Sequence, residues 1–221
     1  MAKTALTTAF LLGAAALAVP SAANAAIVLD SVVPGTNPYS GPTPTFDFEN
    51  PAPVSGGAVT NVSTGGVAAQ PFGSTGYYWT VGPTDGSPGL MDLSGFGDIN
   101  SVSFIWGSVD NYNFIDFLDA SNNVLATFTG TDIFNPANGN QTSPNTNPFV
   151  TFAVSGSDSS ALTTLRLRST SNAFETDNFV IGQVPEPSTW LMLLLGFFGI
   201  GATLRRSKKE GSTALERAVH A

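Results

Sequence analysis

Between Ala26 and Val184 no long run of residues keeps an apolar period of 3.6. Short runs rich in Phe, Val, Ile and Thr alternate instead with clusters of Gly, Pro, Ser, Thr and Asn. A chain without amphipathic helical stripes cannot bury its apolar side chains as a bundle or a βα array, and sheet is the remaining solution. The expected fold of residues 26–183 is all-β, an antiparallel β-sandwich of jelly-roll-like form. Roughly 160 residues are enough for one core without staples, and the chain has no Cys. No repeat of fixed period is present, which argues against a β-helix.

The expected strands are Ile27–Val33, Thr45–Glu49, Ala58–Val62, Tyr77–Val81, Ser101–Trp106, Asn113–Leu118, Val124–Thr129, Phe149–Val154, Leu162–Arg168 and Asn178–Ile181. Asn113–Leu118 and Val124–Thr129 flank Asp119-Ala120-Ser121-Asn122-Asn123. Asn tolerates positive φ, so the pair reads as a hairpin. Strict alternation in Leu165-Arg166-Leu167-Arg168 points the leucines inward and the arginines to a solvated face. In Tyr77-Tyr78-Trp79 consecutive rings must point to both faces, so at least one is expected outside the core. The Pro/Asn/Gly/Thr-rich segments Pro34 to Pro44 and Asn135 to Pro148 are long for loops of a β domain and read as mobile or functional.

Chemistry is narrowed mainly by what is missing. The whole chain has one His, at His220, and no Cys, so residues 26–184 can hold neither a Ser-His-Asp nor a Cys-His apparatus, nor a zinc site of N and S ligands. Arg166 and Arg168 are the only bases of that stretch, against thirteen acids, which leaves it more acidic than the whole-chain net charge of −8. Such a surface repels nucleic acid and suits cations or neutral glycans. Paired carboxylates are the remaining catalytic route, with Asp110, Asp116 and Asp119 gathered near one edge as a glycosidase would need. Exposed Asp on strands and turns is ordinary, however, and the expectation is a protein that is not an enzyme.

The two ends describe export. Lys3, an apolar run from Ala5 to Val19, and the small-x-small sequence Ala23-Asn24-Ala25 form a signal peptide over residues 1–25, with Ala26 as the mature N-terminus left by signal peptidase. Near the other end stand Pro185-Glu186-Pro187, then Trp190, then apolar residues to Leu204, then Arg205-Arg206-Ser207-Lys208-Lys209. Pro187 suits the first position of a helix, and Glu186 suits the positive end of its dipole. A helix over about 187–206 would rise roughly 30 Å, the thickness of a bilayer core. Trp190 would anchor it at one interface, and Arg205 and Arg206 would hold the other end inside, leaving 210–221 as a short cytoplasmic tail.

This arrangement over residues 184–209 resembles the PEP-CTERM sorting signal. The resemblance implies a substrate of exosortase, a membrane-embedded cysteine transpeptidase of exopolysaccharide-producing bacteria. Such a protein is implied to be held transiently in the inner membrane, cut near Pro-Glu-Pro, and moved to the cell surface or matrix, with a structural or adhesive role in exopolysaccharide. Residues 210–221 depart from the family, whose members usually stop soon after the basic cluster. Tails of this kind are also catalogued as an ice-binding protein C-terminal domain, but nothing between Ala26 and Val184 supports ice binding.

A second motif, Trp106-Gly107-Ser108-Val109-Asp110-Asn111-Tyr112-Asn113, resembles one of a cyanobacterial and proteobacterial family of exosortase-dependent surface proteins. Its own chemistry reads as a corner between two strands, with Asp110 or Asn111 bonding its own backbone in an Asx-turn. Phe46-Asp47-Phe48-Glu49 and Phe174-Glu175-Thr176-Asp177-Asn178-Phe179 are similar to the early and terminal strands of jelly-roll carbohydrate-binding modules. That likeness implies a structural calcium held by Glu49 and Asp177, in keeping with the preference of hard cations for oxygen ligands.

Overall fold

The computed structural model describes residues 26–184 and 191–201. The expected signal peptide, with Ala23 and Ala25, lies outside the described residues, as do Pro185, Glu186, Pro187, Trp190, Arg205, Arg206 and residues 210–221. Residues 26–184 form eleven strands, in chain order β1 (Ala26–Val33), β2 (Val54–Ser55), β3 (Ala58–Thr60), β4 (Tyr78–Val81), β5 (Gly89–Asp92), β6 (Ile99–Gly107), β7 (Asn113–Asp119), β8 (Val124–Thr129), β9 (Phe149–Ser155), β10 (Leu162–Ser169) and β11 (Phe174–Gln183). Helix is confined there to α1 (Gly130–Ile133), α2 (Ser157–Ala161) and one 3-10 turn at Pro144–Thr146. The class is all-β.

The strands make two sheets, ordered β1-β9-β6-β11-β4-β3 and β2-β5-β10-β7-β8, and every strand pairing is antiparallel. Side chains from both enter one apolar cluster. Phe104, Trp106, Phe152 and Phe174 come from the larger sheet, and Met91, Ile115, Phe117, Leu165 and Leu167 from the smaller. Phe117 meets Phe152 across the sheets with ring centroids 5.1 Å apart. Trp106 stacks on Phe174 at 4.4 Å and Phe104 on Phe179 at 4.7 Å, within the preferred range for aromatic pairs.

The expected hairpin is β7–β8, and Asn122 takes the positive φ of 63°. Two expectations are corrected. Thr45–Glu49 is not a strand: Phe46 makes a single antiparallel bridge to Phe179, and Phe48 turns away with φ 61°. Arg166 and Arg168 do point outward, with side chains 29% and 38% exposed, but they are not simply solvated. They lie across the strand pair from Asp116, which is 1% exposed and accepts from Arg166 Nε at 2.9 Å and Arg168 Nε at 2.6 Å.

The terminal strand β11 carries a bulge between Asp177 and Val180, with Asn178 at φ 53°. An inserted residue resets the alternation of a strand. Phe174 and Phe179 both reach the core, whereas Glu175 and Asp177 bond to the covering segment 61–76 through Ala69 N and Ser74 Oγ.

The described tail, 191–201, is helical, and its large apolar residues from Leu191 to Ile200 are exposed. At 1.5 Å per residue it covers roughly 16 Å. Among the described residues no helix is long and apolar enough to cross a membrane.

Candidate ligand cleft

The motif at the end of β6 builds the wall of a cleft. Trp106 is in the core, and the chain then turns outward. A Cβ on Gly107 would stand 2.8 Å from the Pro71 ring, so the close approach of segment 61–76 requires glycine there. Ser108 follows with φ 37°, its amide donating to Asn147 Oδ1 at 2.8 Å and its hydroxyl to Glu175 Oε2 at 3.0 Å. Asn113 closes the corner by donating to the Ala173 carbonyl and accepting from Ser169 Oγ.

Asp110 corrects the Asx-turn expectation. Its carboxylate does not bond its own backbone but accepts at Oδ2 from the Tyr112 hydroxyl, 2.8 Å away. That hydroxyl also lies 3.1 Å from the Asn172 carbonyl. On the far side Gly139 has φ 64°, and a Cβ there would collide with Asp110 Oδ1.

Ser108, Asp110 and Tyr112 thus line a cavity of about 290 Å³ together with Glu175, Asn172 and Ala173. Segment 63–69 forms one rim, and Asn138, Gly139 and Gln141 form the other. The second rim belongs to the long segment 135–148, which is tied down by buried Asn147. Its Nδ2 donates to the carbonyls of Asn140 and Ser143, each at 3.0 Å, while Oδ1 accepts from Phe72 N and Ser108 N.

Two carboxyls of the cleft have raised pKa values. Burial pushes Glu175 up to about 7, opposed by bonds from Ala69 N and Ser108 Oγ and reinforced by the charge of Asp110. Burial also raises Asp110, against the bond from Tyr112. Tyr112 is itself raised by burial and by its bond to Asp110.

The other candidate acids lie outside the cleft. Burial acts to raise Asp116, but bonds from Arg168, Thr127 and Arg166 outweigh it and hold the carboxyl below its usual range. A carboxylate held by two guanidinium groups is poorly placed to exchange protons. Asp119 is in the β7–β8 turn, where it accepts from the amides of Ser121 and Asn123. Asp177 is buried and accepts from Ser74 Oγ at 2.5 Å. Burial is the larger cause, and the charges of Asp47 and Glu49 add to it, in pushing Asp177 up to about 7. Glu49 is exposed and accepts from Tyr77 N at 2.7 Å. Among the described residues no group of three Asp, Glu, His or Cys is gathered to hold a metal ion. Tyr77 is the exposed ring of its triplet, and Tyr78 is buried with its hydroxyl on the Val62 carbonyl.

Sequence reasoning did not assign Glu175 to a cleft, and it missed Asn138, Gln141 and Asn172. The Gly107-Ser108 turn and an acid next to core Phe174 were the available signals, but neither reveals the other across 67 residues.

Residues 183–207 match the family model of the PEP-CTERM protein-sorting motif, a span that includes Pro185 to Pro187, Trp190, Arg205 and Arg206. PEP-CTERM proteins are exosortase substrates, so the match supports exosortase as the partner of this tail. No curated protein and no solved structure matches the chain.

Proposed function

We propose that this is an exported surface or matrix protein, sorted by exosortase, whose jelly-roll-like β-sandwich serves a non-enzymatic structural or adhesive role in exopolysaccharide. The sorting-motif match at residues 183–207, directly after β11, carries the reading. In this account signal peptidase removes residues 1–25, a helix over about 187–206 anchors the protein transiently in the inner membrane, and exosortase cuts near Pro185–Pro187. The apolar exposed helix at 191–201 supports that anchor, because a helix without a polar face is suited to lipid.

Mass spectrometry of the surface form tests it. The expected C-terminus lies near Pro185–Pro187, and Glu186→Ala is expected to leave the chain intact to Ala221 in the inner-membrane fraction. An intact tail on the wild-type surface form would overturn the sorting step.

A calcium-stabilised carbohydrate-binding module is the second reading, favoured by the buried Asp177 carboxyl lying under the charges of Asp47 and Glu49. A bound cation would relieve that repulsion. Millimolar calcium is then expected to raise the Tm of the wild type and not of Asp177→Asn; equal Tm in calcium and in EDTA would dismiss it.

A further inference from the structure

We propose that the cleft between Asp110, Tyr112 and Glu175 binds one ring of a neutral, hydroxyl-rich saccharide. This rests on the adhesive reading above and names the ligand class of its contact site. Four features of the cavity carry it.

Size is the first. A cavity of about 290 Å³ stands near the roughly 300 Å³ at which small-ligand pockets begin, which suits one sugar ring and not an extended polymer face.

Charge is the second. No Lys, Arg or His is among the lining residues, whereas Asp110 and Glu175 are, so phosphate, sulfate and uronic-acid groups meet repulsion with nothing to offset it.

The third is the balance of donors and acceptors. Asp110 offers carboxylate oxygens to sugar hydroxyls, with Oδ2 steadied by Tyr112. Gln141 and Asn138 offer amides that can donate as well as accept, and the rim at 63–69 adds hydroxyl and glycine backbone groups. Adjacent hydroxyls of a sugar need such neighbours, because each hydroxyl both donates and accepts. A site built to bond hydroxyls also discriminates strongly against ligands that lack them.

The fourth feature weighs against a cation. Only two acids line the cleft, and both oxygens of Glu175 are already engaged, by Ala69 N and Ser108 Oγ. A hard cation such as calcium takes six to eight oxygen ligands, by general coordination chemistry.

The source of the ligand follows from its chemistry. A surface protein with an acidic face would meet neutral glycan without electrostatic penalty, and a single-ring site gives weak contacts that gain strength only through many copies on one polymer. The cleft therefore fits a polymer held at the cell surface, where many anchored copies of the chain each grip one unit.

The test uses the full-length chain in detergent on an array of neutral and uronic-acid-containing oligosaccharides, with and without EDTA, beside Asp110→Asn and Gln141→Ala. Gln141 is exposed at the rim, so its truncation spares the fold, and melting curves of both variants check that. Binding of neutral glycans that survives EDTA, weakened at least tenfold by Asp110→Asn and several-fold by Gln141→Ala, is the expected result. If both variants keep wild-type binding, the adhesive reading stands and the cleft assignment falls. If the wild type binds no glycan, both fall. Preference for uronic-acid glycans, or binding lost in EDTA, overturns the neutral-saccharide assignment.

Discussion

The Tm of the β domain is expected to fall as pH rises from about 5 to about 8, by on the order of 10 °C. Glu175 and Asp177 carry the effect, each pushed up to about 7 by burial. A group whose pKa is raised on folding binds more protons in the folded state, so its contribution is complete below its unfolded value and is lost as pH passes the folded value. The ordinary values of these groups are 4.5 for Glu175 and 3.8 for Asp177, which sets the window between about pH 4 and about pH 7, with a flat limb above. A shift of two to three pH units corresponds to roughly 3 kcal/mol per group. A change of about 1 kcal/mol moves the Tm of a domain this size by a few degrees. Asp116 acts with the opposite sign: its folded pKa is lowered, so its contribution is present above the unfolded value and lost as pH falls through the folded one. Stability should therefore peak on the acid side of neutrality and decline again in strong acid. Glu175→Gln keeps the shape of the neutral acid and should melt above the wild type at about pH 8 while converging with it near pH 5. Measurements in EDTA keep calcium out of the comparison. A wild-type Tm that is level or rising across the window would refute the assignment.

Residues whose environment is set by their own strand were readable in the sequence. Leu165 and Leu167 are in the core as their alternation requires, and β8 has the expected bounds Val124–Thr129. Periodicity reports a direction, however, not a partner. Arg166 and Arg168 do point away from the core, but Asp116 on β7 is invisible without the register that sets it opposite Arg166. The short strand β5, Gly89–Asp92, was missed because its two inward positions are Gly89 and Met91, and a glycine beside a single apolar side chain shows no period. In β11 the bulge breaks the alternation that would have separated Glu175 and Asp177 from the inward Phe174 and Phe179. The cleft was hidden for the same reason. Its walls come from 63–69, 108–112, 138–141 and 172–175, segments that only the closed sheets bring together.

Asn147→Ala is expected to cost about 3–5 kcal/mol and to abolish ligand binding in the cleft, although Asn147 does not itself line the cavity and reaches its wall only through Ser108 N. The residue is 1% exposed and serves three segments at once. Its Oδ1 accepts from Phe72 N at 3.2 Å and Ser108 N at 2.8 Å, and its Nδ2 donates to the carbonyls of Asn140 and Ser143. Truncation leaves two amides and two carbonyls without this partner. Each buried group left unmade costs roughly 1–3 kcal/mol, less where water can reach it, as at exposed Asn140. Asn147→Asp separates the two halves of the amide. The carboxylate still accepts from Phe72 and Ser108, but its second oxygen now faces two carbonyls with no proton between them. It should be as destabilised as the Ala variant at about pH 8 and partly recovered at about pH 5, where a protonated Asp can donate again. Recovery beyond that of the wild type over the same range isolates this site from Glu175 and Asp177. If instead both variants melt like the wild type and still bind, segment 135–148 is held by its other contacts, and the rim carrying Asn138 and Gln141 does not depend on this amide.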